Sequence, residues 1–329
     1  MESRKIYISG GSTYVMSLPK KWVVKEELKA GDSLAVNIQE GRLIIEPSDK
    51  YHEPVSTEIR VSQLGSADAL RRLLIANYLV GYDTIHVELD KEPGKYREAI
   101  GETLGYLFGA EVLEDTGNRV TIEVLLDPNR MQTLQVLQRI HVICRSMLTD
   151  IIAGLKRDDN SSMKEVQTRE KEVDKLYFLV VRQLKSAVRY HQVSERLGIT
   201  NQRDALGYRI VVKSFERIAD HLALIASNFS QGRGGGWLQY GEFADLVDSI
   251  YKGASKSFFT SNKQTAEEVF LDVRKCERQR GNILNELFRK KTNVQDTLAK
   301  RAVLESLSRI ANYSSDIAEI TINMSIKVP

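Results

Sequence analysis

The chain has 329 residues, 42% hydrophobic and 28% charged, an ordinary composition for a soluble protein of two or three domains. Its 47 basic and 44 acidic residues leave a formal charge of +3. That is too little for a protein-wide nucleic-acid footprint, so any such contact is local. The two cysteines, Cys144 and Cys276, make neither a disulfide framework nor a zinc knuckle, which points to a reducing cytoplasm. The first seven residues hold no apolar signal region, and no stretch reaches the roughly 18 apolar residues of a membrane span.

Residues 1–50 read as short strands and turns around one short helix. Lys5–Ile8 is a strand, Gly10-Gly11-Ser12 a turn that allows positive φ, and Thr13–Ser17 a second strand. Pro19 suits the first turn of a helix, which runs through Trp22 and Val23 to about Leu28. Ala30-Gly31-Asp32 turns into Ser33–Ile38, and Glu40-Gly41-Arg42 turns again into Leu43–Glu46. So small a piece buries too little apolar surface to stand alone, which predicts a homodimer or higher oligomer.

Residues 54–127 alternate strand and helix. Strands are expected at Thr57–Val61 and Thr84–Leu89, and a hairpin joins Glu111–Glu114 to Arg119–Leu125 across Thr116-Gly117-Asn118. Helices are expected from Ser66, as N-cap, to about Val80 and from Gly94 to Phe108. This small α/β unit carries no phosphate loop, nucleophile elbow or metal spacing, and reads as a spacer or oligomerisation module.

From residue 128 the pattern is helical, with breaks near 156–160, 197–200, 232–236, 261–263 and 291–293. Six helices result, grouped as two bundles of three, residues 128–233 and 237–329. Val166, Val173, Val180 and Leu184 mark one buried stripe, and Val269, Cys276, Ile283 and Leu287 its counterpart. Ser214–Ala226 and Ser306–Ala318 repeat each other, with Arg-Ile-Ala and a later Ile-Ala pair in register. Glu216 and Asp220 lie four apart, as do Glu170 and Asp174, so each pair projects from one helix face. Two such helices bring carboxylates together for a hard divalent or iron-type cation; the alternative is a solvated acidic face. In the second repeat, Glu216 and Asp220 correspond to Ser308 and Asn312, and Glu170 and Asp174 to Val273 and Glu277. A second metal site is therefore not expected, although Asp316 lies one turn further on.

Other chemistry finds little support. A ferritin-like oxidase needs Glu-x-x-His, and no histidine here has Glu three residues before it. His221 points about 100° away from Asp220, and the glycine run at 232–236 lacks the Gly-Lys-Ser/Thr of a nucleotide loop.

Two stretches resemble known families. Gly11-Ser12, Ser17-Leu18-Pro19-Lys20, Leu28–Leu34 and Leu43–Pro47 are similar to the AbrB/SpoVT swapped-hairpin DNA-binding domain. The resemblance implies interlocked hairpins from two chains, with Arg4, Lys5, Lys20, Lys21 and Lys25 facing DNA; the plainer reading makes these solvated lysines on a dimerisation module. The helical repeats, and Val212–His221 above all, resemble PhoU. An AbrB-type head on a PhoU body is also the architecture of archaeal PhoU-like regulators. This resemblance implies a non-enzymatic, cytoplasmic regulator that damps phosphate uptake through a membrane transporter or a signalling protein, with metal held on Glu170, Asp174, Glu216 and Asp220. The alternative is a transcriptional regulator of another pathway whose helical body is a ligand- or metal-controlled oligomerisation module. Either way the fold expected is multidomain and mainly α: a β head, a small α/β middle domain and tandem three-helix bundles.

Overall fold

The computed structural model describes residues 2–39, 41–47, 54–125, 127, 130–199, 201–232, 235–289 and 293–326. Glu40 of the second head turn, Thr200, Arg233-Gly234 and Lys291-Thr292 of the expected breaks lie outside the described residues. The chain divides into two compact units, residues 1–53 and 54–329.

In the first unit β1 (Ile6–Ser9) pairs antiparallel with β2 (Thr13–Met16), and Gly10 and Gly11 supply the left-handed turn at φ 61° and 87°. Helix α1 (Lys20–Lys25) starts after Pro19 but is shorter than expected, because Glu27 swings to φ 54° and Leu28 N–H caps back to the Val23 carbonyl. Strands β3 (Leu34–Gln39) and β4 (Arg42–Pro47) form a second antiparallel pair. Among the described residues of this unit none is buried; Ile6 is 66% and Ile38 81% exposed.

The second unit begins with β5 (Ser56–Arg60), α2 (Ala67–Val80), β6 (Thr84–Glu88), α3 (Pro93–Leu104), β7 (Ala110–Asp115) and β8 (Arg119–Val124). The sheet order is β5-β6-β8-β7, with β5 and β6 parallel and the rest antiparallel. Ser66 Oγ accepts from Ala69 N–H, the N-cap the sequence suggests. Helix α3 stops at Leu104, four residues early, where the chain turns through Tyr106 and Leu107 N–H bonds to Thr103 and Leu104 carbonyls. Leu70, Leu74 and Tyr78 of α2 pack with Tyr96 and Ile100 of α3 over Ile85, Val87, Val120 and Ile122 of the sheet.

The body follows as α4 (Thr133–Arg157), α5 (Val166–Arg189), α6 (His191–Arg196), α7 (Asp204–Gln231), α8 (Leu238–Thr260), α9 (Lys263–Arg289) and α10 (Val294–Met324). The short α6 corrects the expected count of six. Tyr190 is extended, at φ −128° and ψ 120°, and breaks the helix without any Gly or Pro to announce it. The segment is then pinned by Ser194 Oγ donating to Ile199 O and Thr133 N–H donating to Leu197 O. Both expected stripes are buried throughout. The repeat register also holds in three dimensions: Phe215, Ile218, Ala219 and Ile225 on α7 and Leu307, Ile310, Ala311 and Ile317 on α10 are all essentially buried. The two repeats share one core, with α7 lying along α10 and α4 along α8. At the α7–α10 crossing Gly207 leaves room for Met324, since a Cβ there would stand 2.4 Å from Met324 Sδ and the methionine would have to shift.

The middle domain is docked onto α5. Phe178 packs against its core. Arg182, 3% exposed, donates to the carbonyls of Tyr78 (2.6 Å) and Tyr82 (2.9 Å) and pairs with Asp83 at 3.0 Å, closing the C-terminal end of α2. Replacing Arg182 with Met strands these acceptors and a carboxylate. We expect Arg182→Met to lose about 3 kcal/mol in denaturant unfolding, with Asp83→Asn recovering part of it in the double variant. A loss within error would show that the docking rests on apolar packing alone.

Candidate metal centre

Helices α5 and α7 run side by side because each offers an apolar stripe to the other, and polar side chains gather along the edge of that seam. Glu170 and Asp174 occupy successive turns of α5. Glu216 and Asp220 occupy successive turns of α7. Oxygens of Glu170, Asp174 and Asp220 all lie within 4.8 Å of one another, and all three residues are half-buried. Such separations suit carboxylate oxygens around a single cation at about 2.0–2.5 Å each.

Glu216 stands slightly apart. Its Oε1 accepts from Lys213 Nζ at 2.5 Å, and its side chain is 12% exposed. Among the described residues Glu216 Oε2 has no hydrogen-bond partner although it is buried. It remains close enough to act on the others. Burial raises the Glu170 carboxyl against the pull of Lys171, and the charge of Glu216 raises it further. Burial first, then Glu170, Asp220 and Glu216, push Asp174 up to about 7. Asp220 rises to about 6 by burial, then by Glu216 and Glu170. An all-oxygen set, crowded and short of positive charge, with one buried oxygen unpartnered, fits a hard cation such as Mg²⁺ or Mn²⁺ or an iron-type ion.

Arg217 lies 5.4 Å over the Tyr313 ring, and Lys171 faces a groove with Arg71, Glu102 and Tyr106 of the middle domain. Lys213 hydrogen-bonds Glu216, and its i,i+3 spacing is the signal that could have found it, while Lys171 acts on Glu170 and Arg217 on Asp220 through charge. Tyr177, one turn beyond Asp174, accepts from Arg209 Nη2 at 2.9 Å and carries the Lys213 ammonium 5.1 Å over its ring. His221 sits 5.7 Å from the Tyr313 ring, turned toward the other repeat.

The equivalent place in the second repeat is a groove of about 190 Å³ whose lining includes Val273, Glu277, Ser308 and Asn312, the four positions the repeat alignment pairs with the carboxylates. Glu277 is the one acid retained there. Asp316, exposed and facing Arg217 and Glu319, is not among its lining residues.

In the head, Arg4, Lys20, Lys21 and Lys25 line one groove with Glu2 and Val24, and Glu2 pairs with Arg4 at 2.6 Å. Lys5 is exposed and not in that groove.

The raised carboxyls make a pH prediction. A carboxyl whose pKa rises on folding keeps its proton longer in the folded chain, so its stability contribution is intact below about 4 and is lost as pH climbs through 6–7. His141, pushed down to about 4 by burial, acts oppositely below 6.5, so the effect is read against a variant. In chelator, wild type should match Asp174→Asn at about pH 4, fall behind it as the pH rises and melt about 2–4 °C below it at pH 8, with a divalent cation erasing the deficit. Parallel melting curves across this range would refute the coupling.

Sequence comparison matches the PhoU domain to residues 137–229 and 241–321. The family described as "Antidote-toxin recognition MazE, bacterial antitoxin" matches residues 8–51. Among curated proteins none matches the chain. Among solved structures, PhoU from Pseudomonas aeruginosa is similar at 16% identity and TM-score 0.50, covering 58% of this chain and 94% of that one. The phosphate transport system regulatory protein PhoU from Streptococcus pneumoniae is similar at 13% identity and TM-score 0.51, covering 58% and 92%. At these identities the structures speak for fold. With the two PhoU matches spanning more than half its length, this chain belongs to the PhoU domain family, carrying an additional MazE/AbrB-like head.

Proposed function

We propose that this chain is a regulator of phosphate uptake whose helical body is set by a cation bound on the first repeat. The observation that carries the reading is the convergence of Glu170, Asp174 and Asp220, with Glu216 beside them, in a chain whose repeats match PhoU. The Streptococcus pneumoniae relative is itself a phosphate transport system regulatory protein. No helix among the described residues is long and apolar enough to cross a membrane, so control of a transporter would come through contact with it or with its signalling partner. Bound between α5 and α7, a cation would neutralise the carboxylates and fix how the two helices sit; Glu170, Asp174, Asp220 and Glu216 would hold it. The second repeat has Val273, Ser308 and Asn312 where ligands would be needed, which predicts one cation per chain.

Deleting the gene in its host should release phosphate accumulation from control. Wild type should restore control, and Asp174→Asn/Asp220→Asn should not. The purified wild type should carry close to one metal ion per chain by elemental analysis and the double variant none. Unchanged phosphate accumulation after deletion would sink the physiological reading whatever the metal content.

The head favours a second activity. Its exposed strands leave Ile6, Tyr7, Ile8 and Tyr14 largely in solvent, a poor state for a single small unit and a good one for pairing with a second copy. Its four-cation groove has the charge to meet phosphates of DNA. Both properties also suit a transcriptional regulator of another pathway, with the body as a cation-controlled oligomerisation module. On the full chain, Ile8→Asp should lower the mass in light scattering. Lys20→Glu/Lys21→Glu should keep that mass yet weaken salt-dependent DNA binding at least about tenfold. A wild type that shows no DNA binding at low salt would remove this second activity.

A further inference from the structure

Lys213 is placed where a bound cation would have to deal with it. It lies one turn before Glu216 on α7, with Nζ 2.5 Å from Glu216 Oε1 and 5.1 Å from the centre of the Tyr177 ring on α5. An i,i+3 lysine–glutamate pair on a helix is ordinarily a weak surface contact. Here Glu216 is 12% exposed while Lys213 is 36% exposed, so the acid is fixed in the seam and the base is free to leave it. Glu216 is also the member of the four that stays outside the tight carboxylate group, and it is the one Lys213 holds.

We propose that Lys213 is a built-in counter-ion that a divalent cation displaces, releasing Glu216 to become the fourth carboxylate ligand. This rests on the reading of the α5–α7 carboxylates as a cation site. A +2 ion among these oxygens and an ammonium a few ångströms away repel strongly in a half-buried setting, so the two exchange places. The Tyr177 ring, with Arg209 on its hydroxyl, flanks the outgoing side chain. Once freed, Glu216 offers both oxygens, one of which is already buried and without a partner among the described residues. Lys213 thereby sets the cation affinity and keeps the cation-free seam closed.

The test titrates Mn²⁺ into the chelator-stripped full chain, reading free Mn²⁺ by electron paramagnetic resonance. Wild type is compared with Lys213→Met, Lys213→Arg and Glu216→Gln; Met and Arg both keep good helix propensity. Lys213→Met should bind Mn²⁺ about tenfold more tightly or better, Lys213→Arg should stay near wild type, and Glu216→Gln should bind more weakly. Amine-reactive labelling followed by mass spectrometry should show Lys213 modified faster when Mn²⁺ is present, a change that a purely structural lysine would not show. If wild type binds Mn²⁺, and loses it in Asp174→Asn/Asp220→Asn, while Lys213→Met is no tighter and labelling is unchanged, the counter-ion role is overturned. If no variant and no wild type binds Mn²⁺, the cation site itself falls and this role with it.

Discussion

Half-burying Glu170, Asp174 and Asp220 along the seam of α5 and α7 disfavours their charged forms, and positive charge in the seam offsets that penalty. Much of the local arrangement follows from this. The seam takes an ammonium from Lys213 on one side. Glu170, Asp174 and Asp220 are only half-buried, so they keep some contact with solvent. The hydroxyl of Tyr177 takes the Arg209 guanidinium, and its ring lies under the Lys213 ammonium. The apolar stripes set how close the helices come, and that distance fixes how far the carboxylates can spread apart.

The duplicated half escapes the constraint by changing its residues. Val273 and Asn312 remove charge, and Ser308 is left with a buried hydroxyl lacking a partner among the described residues. Glu277 remains with Arg280 in the groove, while Arg280 and Arg309 both pair with Glu305. The groove is close to charge balance with its own side chains. One fold thus holds two versions of the same seam, one short of positive charge and one not.

Much of this was legible in sequence because it depends on periodicity. The Arg-Ile-Ala repeat set the register of α7 against α10, and the burial of Ile218 and Ile310, and of Ile225 and Ile317, follows it residue for residue. The head strands and turns were marked by glycines whose positive φ the structure uses. What escaped depends on backbone conformation or on distant partners. Tyr190 breaks a helix with no residue type that signals a break. Glu27 ends α1 early by adopting a left-handed conformation that most side chains avoid. Arg182 looks like one more charge on a polar helix face, since its acceptors at Tyr78 and Tyr82 lie about a hundred residues away. Lys213 is one of three cations near the acids, with Arg217 and Lys171, and its charge alone did not single it out as the one that hydrogen-bonds Glu216.

Arg182 and the carboxylates share α5. Asp174 precedes Arg182 by eight residues, about 12 Å of helix axis at 1.5 Å per residue. An α-helix resists stretching, and this one is gripped at one end by acids seeking a counter-charge and at the other by the carbonyls that close α2. It behaves as a connecting rod between the two. A turn or slide of α5 at the acidic end would be carried along its length to α2, and with it to the middle domain that Arg182 holds.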